Sequence, residues 1–296
     1  MNTTLLALPG AENLAQSLAA LLRCPASPLD VHRFPDGEGL VRLRTEVAGQ
    51  RVLLVAHLDH PDDKTLPLLF AADAARDLGA LEVGLVAPYL PYMRQDDRFR
   101  PGEAITSRTY ARMLAGAVDF LVTVDPHLHR FASLDEIYPI PTRVVAAASA
   151  IAEWLAREVP RAFLVGPDSE SEQWVGAVAR LLGAPHVVMS KVRHGDRDVQ
   201  VRMPPGASCA DRVPVLLDDI ASSGHTLASA AGVLREAGWG RPLCIAVHAL
   251  LDASGMDLLQ RAGIARVLSC DTVPHPTNAI ALGPWLAEGV RGFLEG

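Results

Sequence analysis

Residues 213–227, VPVLLDDIASSGHTL, constrain the fold of this chain more than any other stretch. An apolar run over 213–217 ends on two adjacent carboxylates, Asp218 and Asp219. A turn of small residues follows, Ser222-Ser223-Gly224-His225-Thr226, and then a helical pattern over 227–237. A short apolar run of this kind reads as a parallel strand buried on both faces, and parallel strands need crossover helices. In open α/β sheets ligands bind beyond the carboxyl ends of such strands. The turn offers successive backbone N–H groups, three hydroxyls and a helix N-terminus, which together attract a phosphate. The two acids before it suit sugar hydroxyls or a divalent cation. Phosphate cradle and diol clamp together point to a ribose phosphate. The competing reading is a buried strand with a capped helix behind it, Asp219 or Ser222 serving as N-cap. It accounts for the turn but not for two carboxylates side by side at a strand end, where one must be desolvated or paired. Neither the G-x-x-x-x-G-K-[ST] phosphate loop nor a G-x-G-x-x-G after a strand occurs.

The chain has 296 residues, 49% hydrophobic and 21% charged, enough for one large or two medium domains. A net charge of −7 argues against nucleic acid or an anionic membrane as the main partner, so an anionic substrate must be met by local cations. No run of 18 apolar residues exists, and MNTTLLALPG has no basic region ahead of its apolar residues. A membrane segment or export signal is therefore not expected. Cys24, Cys209, Cys244 and Cys270 are scattered without a CxxC pair, which fits reduced thiols in a cytoplasmic protein.

Taken in order, the chain reads as a strand (4–8), a helix (11–22) and two extended pieces joined by the turn Phe34-Pro35-Asp36-Gly37-Glu38. Locally this is a hairpin with a polar tip. A buried strand (52–56) runs into His57, Asp59, His60, Asp62 and Asp63. H-x-D-H invites a metal-hydrolase reading, against a polar loop that caps a helix over 65–78 with acids at its positive end. The strand 81–87 empties into PYLPYMRQDDRFRPGEAITS (88–107), where Arg94, Arg98 and Arg100 lie among Tyr89, Tyr92 and Phe99. In an acidic protein, arginines between aromatics are what a polyphosphate and a flat base require. A helix (107–117) and a strand (120–124) lead to DPHLHR. There Asp125, His127 and His129 share one side if the segment stays extended, a geometry compatible with an ion. Residues 131–143, with Pro139 and Pro141, have no helical period and mark the domain boundary. Beyond it come a helix (144–158), a strand (162–165), Asp168 ahead of a helix beginning at 169–171, and a strand (186–190). Lys191 and Arg193 then open a basic hairpin that turns at Gly195-Asp196 and returns over 199–203. The rest supplies a strand (243–250), a helix (257–262), a strand (267–270) and a final helix (284–293). AARDLGA echoes AVARLLGA, and RVLLVAHLD echoes RAFLVGPDS, which fits two α/β units of similar plan.

The turn after Asp218-Asp219 resembles the ribose-phosphate motif of type I phosphoribosyltransferases and of ribose-phosphate pyrophosphokinases (PRPP synthetases). Phe34-Pro35-Asp36-Gly37-Glu38, Arg94-Gln95-Asp96, Asp125-Pro126-His127 and Lys191-Val192-Arg193 resemble further motifs of the latter family, in the same order. The resemblance runs over nearly the whole chain. It implies two similar Rossmann-like (phosphoribosyltransferase type I-like) domains, each a mainly parallel sheet flanked by helices. Residues 1–142 would form an N-terminal ATP-binding-side domain. Residues 143–296 would form a C-terminal ribose 5-phosphate-binding domain, with its last helix able to pack back on the first. It implies diphosphoryl transfer from ATP to the anomeric hydroxyl of ribose 5-phosphate, giving PRPP and AMP for nucleotide biosynthesis. The catalytic pair would be Lys191 and Arg193. ATP would be met by Phe34, Asp36, Gly37, Glu38, Arg94, Gln95, Asp96, Arg98 and His127. Ribose 5-phosphate would be met by Asp168, Asp218, Asp219, Ser222, Ser223, Gly224, His225 and Thr226. Mg²⁺ would lie near His127, Asp168 and Asp125. A homo-oligomer, a dimer or a multiple of dimers, is implied because the Phe34–Glu38 loop commonly reaches a neighbouring subunit's site. The chain departs from the pattern with Asp97 at a commonly basic position, Glu170 and Glu172 where small residues are common, Ser222 for an acid and His225 often for Gly. A phosphoribosyltransferase would share the 213–227 turn but has little use for the other motifs. A catalytically silent regulatory homologue, binding nucleotide and partner subunits, is the non-enzyme alternative.

Overall fold

The computed structural model describes residues 1–193, 199–202, 209 and 211–295. The chain divides into two compact units: Met1–Ala146 with Gly283–Gly296, and Ala147–Leu282. In the first, strands β1 (Thr3–Ala7), β2 (Ala26–Arg33), β3 (Gly39–Leu43), β4 (Arg51–Val55), β5 (Glu82–Val86), β6 (Phe120–Val124) and β7 (Thr142–Val145) form one sheet in the order β3-β2-β1-β4-β5-β6-β7. Only the β2–β3 pair is antiparallel. Helices α1 (Glu12–Leu22), α2 (Pro61–Asp77) and α3 (Thr106–Ala115) are the crossovers.

The second unit contains α4 (Ala148–Glu158), β8 (Ala162–Gly166), α5 (Glu172–Leu182), β9 (His186–Val188), β10 (Ser190–Arg193), β11 (Val199–Arg202), β12 (Val213–Ala221), α6 (His225–Glu236), β13 (Leu243–Ala249), α7 (Ala253–Arg261), β14 (Arg266–Cys270) and β15 (Asn278–Ile280). Its six-stranded sheet, in the order β15-β14-β13-β12-β8-β9, is parallel throughout. β10 and β11 make a separate antiparallel ribbon. The last helix, α8 (Gly283–Leu294), belongs to the first unit, where Phe293 stacks on Phe120 at 4.3 Å between ring centroids. The Phe120 ring also fills the space a β-carbon would need at Gly84, 2.2 Å away, so that position of β5 has no room for a side chain.

The fold class read from the sequence is the one observed: two α/β units with mainly parallel sheets and flanking helices. The central strands are short apolar runs buried on both faces. Every residue of β4, β6 and β8 is buried, and Val215, Leu216 and Leu217 of β12 are 0% exposed. Each such side chain removed from water contributes about 1.5–3 kcal/mol before ordering costs are subtracted.

Several element bounds differ from the sequence reading. β12 does not stop at the last apolar residue. It runs on through Asp218 and Asp219 to Ala221, because β13 continues beside it and pairs Asp218 with Ala246 and Ile220 with His248. Helix α2 starts at Pro61, where the preset backbone of proline suits a first helical residue, with Asp62 and Asp63 in its first turn. β7 occupies the end of the aperiodic stretch and Val144–Val145, so α4 begins later than the apolar pattern implied. Helix α7 begins at Ala253 because the Asp252 carboxylate caps it, accepting from the Gly255 amide at 2.8 Å.

Candidate functional site

In each unit most of the expected site residues lie at or just beyond the carboxyl ends of parallel strands, whereas Lys191 and Arg193 lie on the antiparallel ribbon. In the second unit β8 and β12 are neighbours. From them the strand order runs outward in opposite directions, toward β9 on one side and β13, β14 and β15 on the other. That reversal opens a crevice at the strand ends, the usual place for a ligand in an open α/β sheet. The loop after β8 carries Asp168, and the end of β12 carries Asp218 and Asp219.

Around this crevice the backbone is shaped by glycine. Gly224 has φ of 78° and forms the N-cap of α6, whose amino end carries no side-chain cap. The N-cap is thus neither Asp219 nor Ser222. The first N–H groups of a helix have no partner within it, so an uncapped amino end presents donors to whatever anion fits there. A side chain at Gly224 would meet Leu259 at 3.2 Å and the Gly255 carbonyl at 3.3 Å. One at Gly255 would meet the Ser222 carbonyl at 3.3 Å. The turn after β12 is therefore held by backbone packed directly against the first turn of α7. His225 and Thr226 are not part of that turn but open α6 itself, His225 exposed and Thr226 half-buried. Because the helix starts there, the His225 side chain projects from the first helical turn rather than from the loop.

The two carboxylates are differently placed. Asp219 is buried and its Oδ1 accepts from the Ile220 amide at 2.8 Å; Asp218 is half-buried and accepts from the Asp219 amide at 3.1 Å. Alternation along β12 sends them to opposite faces of the strand. Asp168 is 7% exposed, and its Oδ1 accepts from the Glu170 amide at 3.1 Å while Ser171 donates its hydroxyl to the Asp168 carbonyl at 2.6 Å. Glu170 thereby contributes a backbone donor to the loop. Ser171 also explains Gly166: a β-carbon there would sit 2.3 Å from the serine Oγ. Asp252, beside this turn, has its carboxyl held below the usual carboxylate range by the Gly255 amide and the Ser254 hydroxyl.

Lys191 and Arg193 lie on β10, in register with Val201 and Val199 of β11. The Gly195-Asp196 turn expected between the strands lies outside the described residues, as does Met203.

In the first unit, Phe34, Asp36, Gly37 and Glu38 form the tip of the β2–β3 hairpin. It closes by Phe34 N–H to the Glu38 carbonyl (2.8 Å) and Gly37 N–H to the Phe34 carbonyl (2.9 Å), with Gly37 at φ 93°. Beside the tip is a cavity of about 540 Å³ between the hairpin and α2, lined by His32, Asp36, Glu38, Leu66 and Phe70 among others. The loop after β5 places Arg94 on the surface and Gln95 half-buried. Asp96 is turned inward, its side chain 2% exposed, with His129 Nδ1 at 3.8 Å and Arg130 Nε at 3.6 Å. Arg98 donates to the Glu103 carbonyl at 3.0 Å. Tyr92 has a positive φ of 63° and donates its hydroxyl to Asp62, which pushes the phenol up to about 12. Burial raises Tyr110 likewise to about 12.

The loop after β6 does not stay extended as the side-sharing expectation required. Asp125 has φ of 31°, and beyond this kink the His127 and His129 rings lie nearly parallel, 6.3 Å apart. In the H-x-D-H stretch, Asp59 is taken up by Lys64 at 2.7 Å and faces His60 at 3.4 Å, an ion pair at the start of α2. Among the described residues no three His, Cys, Asp or Glu side chains are grouped to hold a metal. Mg²⁺ commonly binds through one or two carboxylates plus substrate phosphates and waters. Asp125 in the first unit and Asp168 in the second, single carboxylates at strand ends, fit that mode. Sequence reasoning did not single out Arg130 or Arg108. The signal for Arg130 was the pair of acids in RQDD, which needs a counter-charge from outside the loop.

A family model described as the N-terminal domain of ribose phosphate pyrophosphokinase matches residues 3–117, and a phosphoribosyl transferase domain model matches residues 133–284. The chain is 34% identical to the ribose-phosphate pyrophosphokinase of Methanopyrus kandleri, over 95% of this chain and 96% of that protein. It is 32% identical to that of Halobacterium salinarum, over 97% of this chain and 100% of the relative. The crystal structure of phosphoribosylpyrophosphate synthetase from Mycobacterium smegmatis superposes with a TM-score of 0.85 at 25% identity, covering 100% of this chain and 99% of that one. The chain belongs to the ribose-phosphate pyrophosphokinase family.

Proposed function

We infer that this chain is a ribose-phosphate diphosphokinase, converting ATP and ribose 5-phosphate to 5-phosphoribosyl 1-diphosphate and AMP. The observation that carries the reading is the uncapped amino end of α6 behind Gly224, at the carboxyl end of a strand bearing Asp218 and Asp219. Residues 222–226 hold the 5-phosphate through main-chain N–H groups and hydroxyls. Asp218 and Asp219 serve the sugar hydroxyls: Asp218, the more open, touches the diol, and Asp219 fixes the backbone behind it. Asp168 stands beside them after β8. The second unit is thus the ribose 5-phosphate side and the first the ATP side. Arg94, Gln95 and Arg98 meet the polyphosphate, Asp96 holds their loop from inside, and Phe34, Asp36, Gly37 and Glu38 meet adenine, in a homo-oligomer. Asp125 and His127 are the residues of the first unit that would hold Mg²⁺.

In the reaction the anomeric hydroxyl oxygen bonds to the β-phosphorus in line as the bond from that phosphorus to the α–β bridging oxygen breaks; AMP leaves with that oxygen, and the hydroxyl proton passes to solvent. Bound Mg²⁺ neutralises phosphate charge. Lys191 and Arg193 stabilise the charge that develops on the moving phosphoryl oxygens, and the fixed amides of the turn orient the sugar. Catalysis of this kind is positioning plus charge neutralisation. HPLC of a mixture of the protein, ATP, Mg²⁺ and ribose 5-phosphate tests the reading: AMP appears in step with the 1-diphosphate. A phosphoribosyltransferase or a silent homologue leaves the ATP intact, and that result would overturn it.

A further inference from the structure

The loop after β5 has an electrostatic problem that its sequence does not solve. Between Arg94 and Arg98 it carries two adjacent acids, Asp96 and Asp97, at a place proposed to receive a triphosphate. Arg130, from the loop after β6, reaches both: its Nε lies 3.6 Å from Asp96 Oδ1 and 3.4 Å from Asp97 Oδ2. Its guanidinium also lies over the Phe99 ring, 5.5 Å from the centroid. A second cation–aromatic contact ties the loop after β6 to α3, the helix that follows the Arg94 loop, with Arg108 5.7 Å from the centre of Phe131. The Asp96 carboxylate is almost wholly buried, and its Oδ2 accepts no hydrogen bond. A buried carboxylate in that state needs a cation nearby. Asp97, by contrast, is 53% exposed, so its charge faces any polyphosphate in the loop unless it is cancelled locally. Arg98, its neighbour, spends its Nε on the Glu103 carbonyl and gives Asp97 only its backbone N–H.

We propose that Arg130 is a positioning residue for the nucleotide: it masks Asp97, anchors Asp96 and pins Phe99, so that the loop offers Arg94 and Arg98 to a polyphosphate without a competing acid. It acts through the two aspartates and not by touching the reacting atoms. The inference rests on the ATP reading of this loop, and it explains how an acid is tolerated at position 97.

Steady-state kinetics of Arg130→Ala, Asp97→Asn and the double variant test it, with the unmodified protein assayed alongside. One unmasked carboxylate near a doubly charged Mg–ATP complex, across about 8 Å of wet surface, raises KM for ATP about tenfold. Arg130→Ala is expected to show that rise with a much smaller change in kcat and an unchanged KM for ribose 5-phosphate. The rise shrinks toward the unmodified value as ionic strength increases, because exposed charges are screened. Adding Asp97→Asn to Arg130→Ala recovers most of the loss, which repair of a merely structural defect would not do. Should Arg130→Ala fold poorly, Arg130→Gln, of similar reach without the charge, gives the same readout. An unchanged KM for ATP overturns the inference, as does a defect that is insensitive to salt or to Asp97→Asn. If the unmodified protein forms no AMP, it is the functional reading that fails, so the two failures are distinct.

Discussion

Replacing Gly224 by alanine puts the proposed phosphate turn under direct test. The residue has φ of 78°, and a β-carbon would lie 3.2 Å from Leu259 Cδ2 and 3.3 Å from the Gly255 carbonyl oxygen. The left-handed backbone alone costs an L-residue about 1–2 kcal/mol. The crowding adds to this, because the Gly255 carbonyl is backbone in the first turn of α7 and yields only if that helix shifts. A total of about 2–3 kcal/mol is expected, as for other overpacked sites. For a chain of this size, at about 2.1 cal/mol/K of unfolding entropy per residue, that corresponds to a fall in Tm of roughly 3–5 °C. Gly232→Ala is the internal control. Gly232 is in the body of α6 with nothing within 4 Å of its would-be β-carbon, so alanine there gains about 1 kcal/mol in helix propensity. Two identical substitutions eight residues apart should thus move Tm in opposite directions. Since the turn is also the proposed anion site, Gly224→Ala should raise KM for ribose 5-phosphate far more than KM for ATP, while Gly232→Ala leaves both alone. Equal Tm values for the two variants would refute the argument from backbone geometry. A destabilised Gly224→Ala with an unaltered KM for ribose 5-phosphate would separate the turn from the ligand.

The double variant Lys191→Ala/Arg193→Ala should lose orders of magnitude in kcat while binding of ribose 5-phosphate, followed by calorimetry, changes little, as expected for groups that act mainly in the transition state; full turnover would remove both from the mechanism. Alkali should weaken the first unit in a defined window. Tyr92 and Tyr110 are raised from 10 to about 12, Tyr92 chiefly by its hydrogen bond to Asp62 and Tyr110 by burial. A raised folded-state value favours the protonated phenol, so this contribution is whole below pH 10 and is lost as pH climbs through about 12. Tyrosinate absorbance should therefore rise late, together with unfolding, and in Tyr92→Phe the part linked to Asp62 should vanish; early, independent titration of both phenols would contradict the placement.

The fold was legible because its central strands are short apolar runs followed by helices, a pattern few other architectures produce. What could not be read was mostly fixed by a neighbour. β12 continues through two aspartates because β13 supplies hydrogen bonds there, and no property of Asp218 or Asp219 announces it. β7 is a short edge strand whose Val144–Val145 fits the apolar face of the next helix equally well. In the turn after β12, glycine at 224 marked a special backbone position, but that it would displace Asp219 and Ser222 as the helix cap depended on where α6 starts. The loop of Arg94 was singled out on its own residues, whereas the counter-charge of its acids, Arg130, comes from a loop some thirty residues later in the chain. Similarly, the kink at Asp125 breaks the alternation on which the grouping of Asp125, His127 and His129 was founded.

A crystal structure with ribose 5-phosphate bound tests the central claim most directly. The account predicts the 5-phosphate within about 3 Å of main-chain nitrogens in residues 222–226, hydrogen-bond distance for an amide donor, with Asp218 at the sugar hydroxyls. A sugar phosphate bound elsewhere, or those amides taken up by the protein's own side chains, would contradict it.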